Sequence, residues 1–282
     1  ASDVYKRQLL GPVCGAAADN KGFKKPLFTA FMMIGVIACA AMGIPKTWLA
    51  FLVVFVIAKV GFSGSLIFYD SMMVDVTTDE RMDEVSSHGY AWGYIGSCVP
   101  FVISLLLVLG GDKVGISTPA AMTAAFFLNA AWWGLVTIPL LKNYEQKYYV
   151  ENQGSMVKES FARLGRSVAE LKDNKKVALF LLAFFFYIDG VYTIIEMATS
   201  YGKDVGISDA NLLLALLLTQ VVAFPCAILF GKMTQKFETG KLISVCIIAY
   251  FAVAVYALQL DAAWKFWMMA TFVAVSYTHL RA

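Results

Sequence analysis

Charge is scarce in this 282-residue chain: 15% of its residues are Asp, Glu, Lys or Arg, where a soluble domain carries about a quarter. Histidine is scarcer, at two residues. The five cysteines, Cys14, Cys39, Cys98, Cys226 and Cys246, have neither metal-ligand spacing nor the pattern of a disulfide framework, and read as small apolar packing residues. No metal site or cofactor is expected. No Gly-rich loop ending in Lys is present to cradle phosphates, which argues against nucleotide-driven work. No nucleophile–base set stands out, so the chain is not read as an enzyme. The formal net charge of +3 needs no nucleic acid to explain it.

What is plentiful is apolar. Hydrophobic residues make up 59% of the chain, with a mean hydropathy of +0.67. They gather into runs of roughly 18 to 25 residues, the length that crosses the hydrocarbon core of a bilayer as a helix. The chain is therefore expected to be an all-α polytopic membrane protein. Whole spans are predicted at Pro26–Gly43, Trp48–Tyr69, Gly89–Leu109, Ala120–Leu141, Val177–Ser200, Asn211–Gly231 and Leu242–Leu258, with cut spans at Leu9–Ala18 and Ala263–Ala274.

The two ends read as something else. Residues 1–8, ASDVYKRQ, and 275–282, VSYTHLRA, look like translated sequencing adaptors. One DNA sequence encodes Asp3–Gln8, and its reverse complement in another frame encodes Val275–His279. Such segments are expected to be non-native and are set aside in reading the fold. The remainder is expected to be a fragment of metagenomic origin.

Basic residues alternate between the joints. Lys21, Lys24, Lys25, Arg81, Lys232, Lys236, Lys241 and the basic residues of Lys142–Lys176 fall on one side. Lys46, Lys113, Lys203 and Lys265 fall on the other. This bias places the first set in the cytoplasm. In the long joint 142–176, Val157, Phe161, Leu164, Val168 and Leu171 form one apolar helical stripe flanked by basic residues, expected to lie on the membrane surface.

The first joint carries Gly15, Asp19, Gly22, Lys24 and Lys25 in the order Gly-x-x-x-Asp-x-x-Gly-x-Lys-Lys. It resembles the signature between spans two and three of the major facilitator superfamily, with Asn20 where a basic residue is usual. The resemblance implies a major facilitator fold running from the end of span two to the start of span ten of twelve. Residues 9–141 would belong to the N-terminal six-span bundle, 142–176 to a cytoplasmic linker and 177–274 to the C-terminal bundle. Within this gate motif Gly15 would let two helices approach, Asp19 would accept from a helix N-terminus or a cation, and Lys24 and Lys25 would anchor to anionic lipid. A degenerate echo, Gly231 and Gln235, follows span eight.

Two further stretches narrow the family. Ser86, Gly89, Gly93, Tyr94 and Gly96 open span five, and Tyr187-Ile188-Asp189-Gly190 lies in span seven. Both resemble the vacuole-effluxer-like branch, also called the unknown major facilitator family. Thr77-Thr78-Asp79-Glu80-Arg81 is loosely similar to a joint of the glycoside–pentoside–hexuronide cation symporters, the alternative reading. The resemblance implies a secondary transporter of small solutes such as amino acids, coupled to H+ or Na+, monomeric and embedded in the bacterial cytoplasmic membrane. A non-transporting sensor on the same scaffold is a second alternative.

Span seven also carries two carboxylates. On a helix, Asp189, Tyr192, Thr193, Glu196 and Ser200 fall on one face at i, i+3, i+4, i+7 and i+11. Lipid cannot satisfy such a stripe. Asp189 and Glu196 are expected to line a pathway or coupling site, with Tyr192 and Thr193 beside them and Lys59 of span four as the opposite charge. Gly89, Gly93 and Ser97 are read as a close helix contact, and Asn129 and Gln220 as candidates to touch substrate. Asp75, Asp79, Glu80, Asp83 and Glu84 are read as a solvated acidic joint around Arg81.

Overall fold

A computed structural model describes residues 18–151, 162, 165–166, 174–233 and 239–281. Gly15, Gln235 and the apolar stripe Val157–Leu171 of the long joint lie outside the described residues, apart from isolated helical positions in that joint. Among the described residues eight long helices follow in order: α1 Lys24–Ala41, α2 Trp48–Ser71, α3 Met82–Gly110, α4 Thr118–Asn143, α5 Lys175–Asp204, α6 Asp209–Met233, α7 Thr239–Ala257 and α8 Ala263–Arg281. A single helical turn, Met73–Val76, follows α2. Among the described residues seven helices are long and apolar enough to cross a membrane, one for each whole span expected from the sequence.

The joints follow from local chemistry. Thr47 caps α2, its hydroxyl accepting from Ala50 N at 3.3 Å. Pro119 sits in the first turn of α4, where its missing N–H is no loss. Gly22, before α1, has φ +76° and holds a left-handed turn that a side chain would strain. Pro100, Pro139 and Pro225 lie inside α3, α4 and α6. Each removes one intrahelical hydrogen bond, a natural point for a kink.

The chain divides into two compact units, Ala1–Asp79 with Gly110–Leu181, and Glu80–Leu109 with Leu182–Ala282. This division assigns α3 to the second unit, whereas the halves read from the sequence follow chain order.

In the first unit, α1 packs on both α2 and α4. Between apolar helices in lipid, close van der Waals contact replaces the hydrophobic drive available in water. Glycine makes that contact here. A Cβ on Gly61 would overlap the backbone of Gly35 and lie 2.9 Å from Phe31 O. A Cβ on Gly64 would strike the Phe31 ring, and one on Gly35 the Trp133 ring. Phe28, Met32, Phe68, Met72 and Tyr144 close the core below.

In the second unit, Ile207, Leu212, Ala215, Val253, Leu260, Phe266, Met269 and Ala270 form the core. Gly202 of α5 lets Leu212 and Phe266 approach, since a Cβ there would stand 3.0 Å from Phe266 Cε2. Large apolar side chains such as Phe186, Leu229, Ile248 and Phe251 are exposed, as suits helices whose solvent is lipid.

Gly61→Ala is expected to cost about 1–3 kcal/mol through overpacking. Gly110→Ala, whose Cβ meets open space, should change stability by less than about 0.5 kcal/mol. Thermal unfolding of the detergent-solubilised chain measures both, and equal melting temperatures would refute the close α1–α2 contact.

Candidate functional site

At the end of the first unit where α1 begins, a carboxylate is sealed from water. The turn Met73–Val76 swings Asp75 inward until its side chain is 0% exposed. Lys24, the first residue of α1, is turned in by the Gly22 bend and its side chain is 4% exposed. Lys24 Nζ donates to Asp75 Oδ2 at 2.8 Å and to the α2 carbonyl of Ser71 at 3.2 Å. Tyr144, where the backbone leaves α4 in extended conformation, donates its hydroxyl to the same Oδ2. The other oxygen, Oδ1, accepts from Lys147 N at 3.0 Å and Tyr148 N at 2.9 Å. Four donors on one carboxylate offset the cost of burying its charge. Burial pushes the Tyr144 phenol well above its ordinary pKa, and the adjacent Asp75 charge pushes it further, so the hydroxyl keeps the proton it donates.

The strap after α4 is stitched to the gate loop. Gln146 Oε1 accepts from Gly22 N at 3.0 Å, and its Nε2 donates to Ala18 O at 3.1 Å. Val150 N donates to Asp19 O at 2.8 Å. Lys25 Nζ donates to Tyr144 O at 3.4 Å, and Lys21 Nζ stands 5.0 Å from the Tyr149 ring centre.

Two sequence readings change accordingly. Lys24 is a buried ion-pair partner and not a lipid anchor. Asp75 leaves the solvated acidic joint, where Arg81 and Glu84 form an exposed pair at 3.4 Å. Asp75 does differ from Asp79–Glu84 in the sequence: its neighbours Met72, Met73, Val74 and Val76 are apolar, and an acid in that setting is a candidate for burial. Tyr144 and Gln146 carried no comparable signal.

In the second unit α5 has two opposed faces. Val191, Ile194, Ile195, Ala198 and Gly202, at i, i+3, i+4, i+7 and i+11, are buried or half-buried, and Gly202 packs on Leu212 and Phe266. Asp189, Thr193, Glu196 and Ser200 are exposed on the other face, with Tyr192 half-buried at its margin. Thr193 Oγ1 donates to Asp189 O at 2.8 Å within the helix. Lys59 is half-buried on α2 of the first unit. Tyr187 and Gly190 line a cavity of about 220 Å³ with Val191, Tyr250 and Phe251.

A Cβ on Gly89, Gly93 or Gly96 of α3 would meet nothing within 4 Å among the described residues. The close contact expected of the first two falls instead to Ser87, 2.8 Å from the position of a Cβ on Gly231 of α6. Trp92 and Phe224 pack edge to face at 6.3 Å, and Ser97 Oγ stands 3.4 Å from Gln220 Oε1, extending the α3–α6 contact. Asn129 Nδ2 donates to the α4 carbonyl of Ala125 at 2.8 Å.

The profile of the vacuole effluxer Atg22-like family matches residues 74–282. A Bacillus subtilis protein described as an uncharacterised MFS-type transporter, YxiO, is 43% identical over the whole chain, which covers 67% of that protein. Autophagy-related protein 22-1 of Aspergillus niger is 27% identical over 62% of the chain and 30% of its own length. Autophagy-related protein 22 of Cryptococcus neoformans is 27% identical over 55% of the chain and 29% of its own length. No solved structure matches the chain. The apolar helices, the gate loop before α1 and these matches agree: the chain belongs to the vacuole effluxer Atg22-like family of major facilitator transporters.

Proposed function

We propose that the protein is a secondary active transporter that moves small solutes, amino acids in the first instance, by alternating access across the bacterial cytoplasmic membrane. Protons or another cation drive it, and it works as a monomer. The supporting observation is the polar stripe of α5. Asp189, Thr193 and Glu196 stand on the helix face opposite the one that packs into the second unit's core. A carboxylate facing lipid costs roughly 2.5 kcal/mol or more on insertion scales. The stripe is therefore assigned to a water-filled path, where Asp189 and Glu196 take up a proton or meet a cation. Lys59 is the cation proposed to pair with them during the cycle.

Full-length protein in proteoliposomes under an imposed proton gradient tests this reading. Wild type is expected to drive amino-acid flux, and Asp189→Asn to abolish the gradient-driven part. Equal flux in the two would remove Asp189 from coupling. Flux of sugars instead would favour the glycoside–pentoside–hexuronide type of symporter. No gradient-driven flux of either class would count against transport and favour a sensor.

The knot around Asp75 is proposed as the latch of the cytoplasmic gate, since it fastens the loop 18–25 to the strap 144–150. Asp75→Asn leaves the Lys24 ammonium buried without its counter-charge and should cost about 3–5 kcal/mol. Replacing both partners, Lys24→Met with Asp75→Leu, removes the buried charge and should recover part of that loss. Thermal unfolding of the three proteins decides it: a double variant no more stable than the single one would show that the unpaired charge is not the cause.

A further inference from the structure

The second unit contains a cavity of about 140 Å³ between α3, α5, α6 and α8. Its volume comes from small side chains. Ala215, Thr219 and Ala223 follow one another at i, i+4 and i+8 along α6, and Ala198 of α5 and Ala270 of α8 complete the narrow walls. Phe266, Met269 and Ile194 supply the larger apolar surface. No Asp, Glu, Lys, Arg or His lies among the lining residues. A dry apolar cavity of about 150 Å³ is large enough to hold benzene.

Three polar side chains break the apolar wall: Tyr94, Thr219 and Gln220. One of them has its hydrogen-bonding role set by a neighbour. Thr219 spends its proton on Leu216 O at 2.6 Å, which leaves its oxygen as an acceptor. Ser97 Oγ gives its proton to Tyr94 O at 2.8 Å and stands 3.4 Å from Gln220 Oε1, and the Gln220 amide brings two N–H donors to the wall. An acceptor and a donor side by side on an apolar wall match a hydroxyl group, which gives one hydrogen bond and receives another.

We infer that this cavity is a binding site for a compact, uncharged apolar group bearing one hydroxyl, about the size of a phenol, with Thr219 accepting from that hydroxyl and Gln220 donating to it. An ionised group finds no counter-charge there and is excluded by its desolvation cost. A sugar is excluded because most of its hydroxyls would be buried against alanine, isoleucine and phenylalanine without partners. The site is distinct from the polar stripe of α5: Ile194, Ile195 and Ala198 line it, while Asp189, Thr193 and Glu196 lie on the opposite face. Tyr94 and Gln220, two residues singled out in the sequence, meet at this one cavity.

The test uses the chain in lipid nanodiscs with 4-fluorophenol as probe, read by fluorine NMR against empty nanodiscs, with no ion gradient. Saturable binding is expected, displaced by phenol but not by benzoate or glucose. Gln220→Leu and Thr219→Val keep the shape of the wall and should each weaken binding about fivefold, the worth of one net hydrogen bond. Ala198→Leu fills the cavity and should abolish binding. Binding equal to that of empty nanodiscs would overturn the site. So would binding lost in Ala198→Leu yet unchanged in Gln220→Leu and Thr219→Val, the behaviour of a plain void that takes any acyl chain. Because no gradient is applied, the outcome does not depend on the transport reading.

Discussion

Lipid tails offer no hydrogen bonds, so every polar group placed in the hydrocarbon core of a bilayer must be satisfied by protein or by a water-filled cavity. The helices meet this demand for their own backbone, and they also absorb many of their polar side chains. Thr29 donates to Lys25 O, Ser65 to Phe62 O, Asn129 to Ala125 O, Thr137 to Trp133 O, Thr193 to Asp189 O and Thr271 to Trp267 O, each a carbonyl three or four residues back on the same helix. A hydroxyl or amide can be neutralised this way because it carries a donor. An ionised carboxylate has only acceptors, and an α-helix offers it no free N–H beyond the first turn. Carboxylates in the membrane are therefore the groups that a helix cannot handle alone.

The chain solves that problem in two ways. Asp75 is taken out of the helical ladder by a short turn and surrounded by donors from α1, the end of α4 and the strap beyond it. Both oxygens of that carboxylate are taken up by protein donors, which suits the latch proposed for it. Asp189 and Glu196 stay within the helix α5, on the face turned from the core. That face is the one proposed to line a water-filled path. Burial thus separates Asp75 from Asp189 and Glu196 more clearly than residue type does.

The spans were legible in the sequence because the bilayer fixes their length, and the stripe of α5 was legible because a 3.6-residue period carries side-chain direction with it. Asp75 was hidden by company: five acids within ten residues look alike in a string, and only the turn Met73–Val76 sends one of them inward. Tyr144 and Gln146 reach Asp75 and the gate loop across 69 and 124 residues of chain, a separation at which periodicity is silent. The glycines show a similar limit. Small residues four apart mark helices able to approach closely, but the rotation of each helix decides which residue meets a neighbour. Gly61 and Gly231 do so, whereas a Cβ on Gly89 or Gly93 meets nothing within 4 Å among the described residues.

The division of labour on Asp75 explains why one residue joins two parts of the gate. Oδ2 takes side chains, Lys24 from the start of α1 and Tyr144 from the end of α4. Oδ1 takes main chain, the N–H groups of Lys147 and Tyr148. Main-chain donors cannot rotate away as a side chain can, so their bonds fix the path of the strap itself. That path brings Gln146 under Gly22 and Val150 beside Asp19. The strap opens the long joint toward α5. The loop before α1 and the start of the long joint are thereby fastened through one carboxylate that neither water nor lipid can reach.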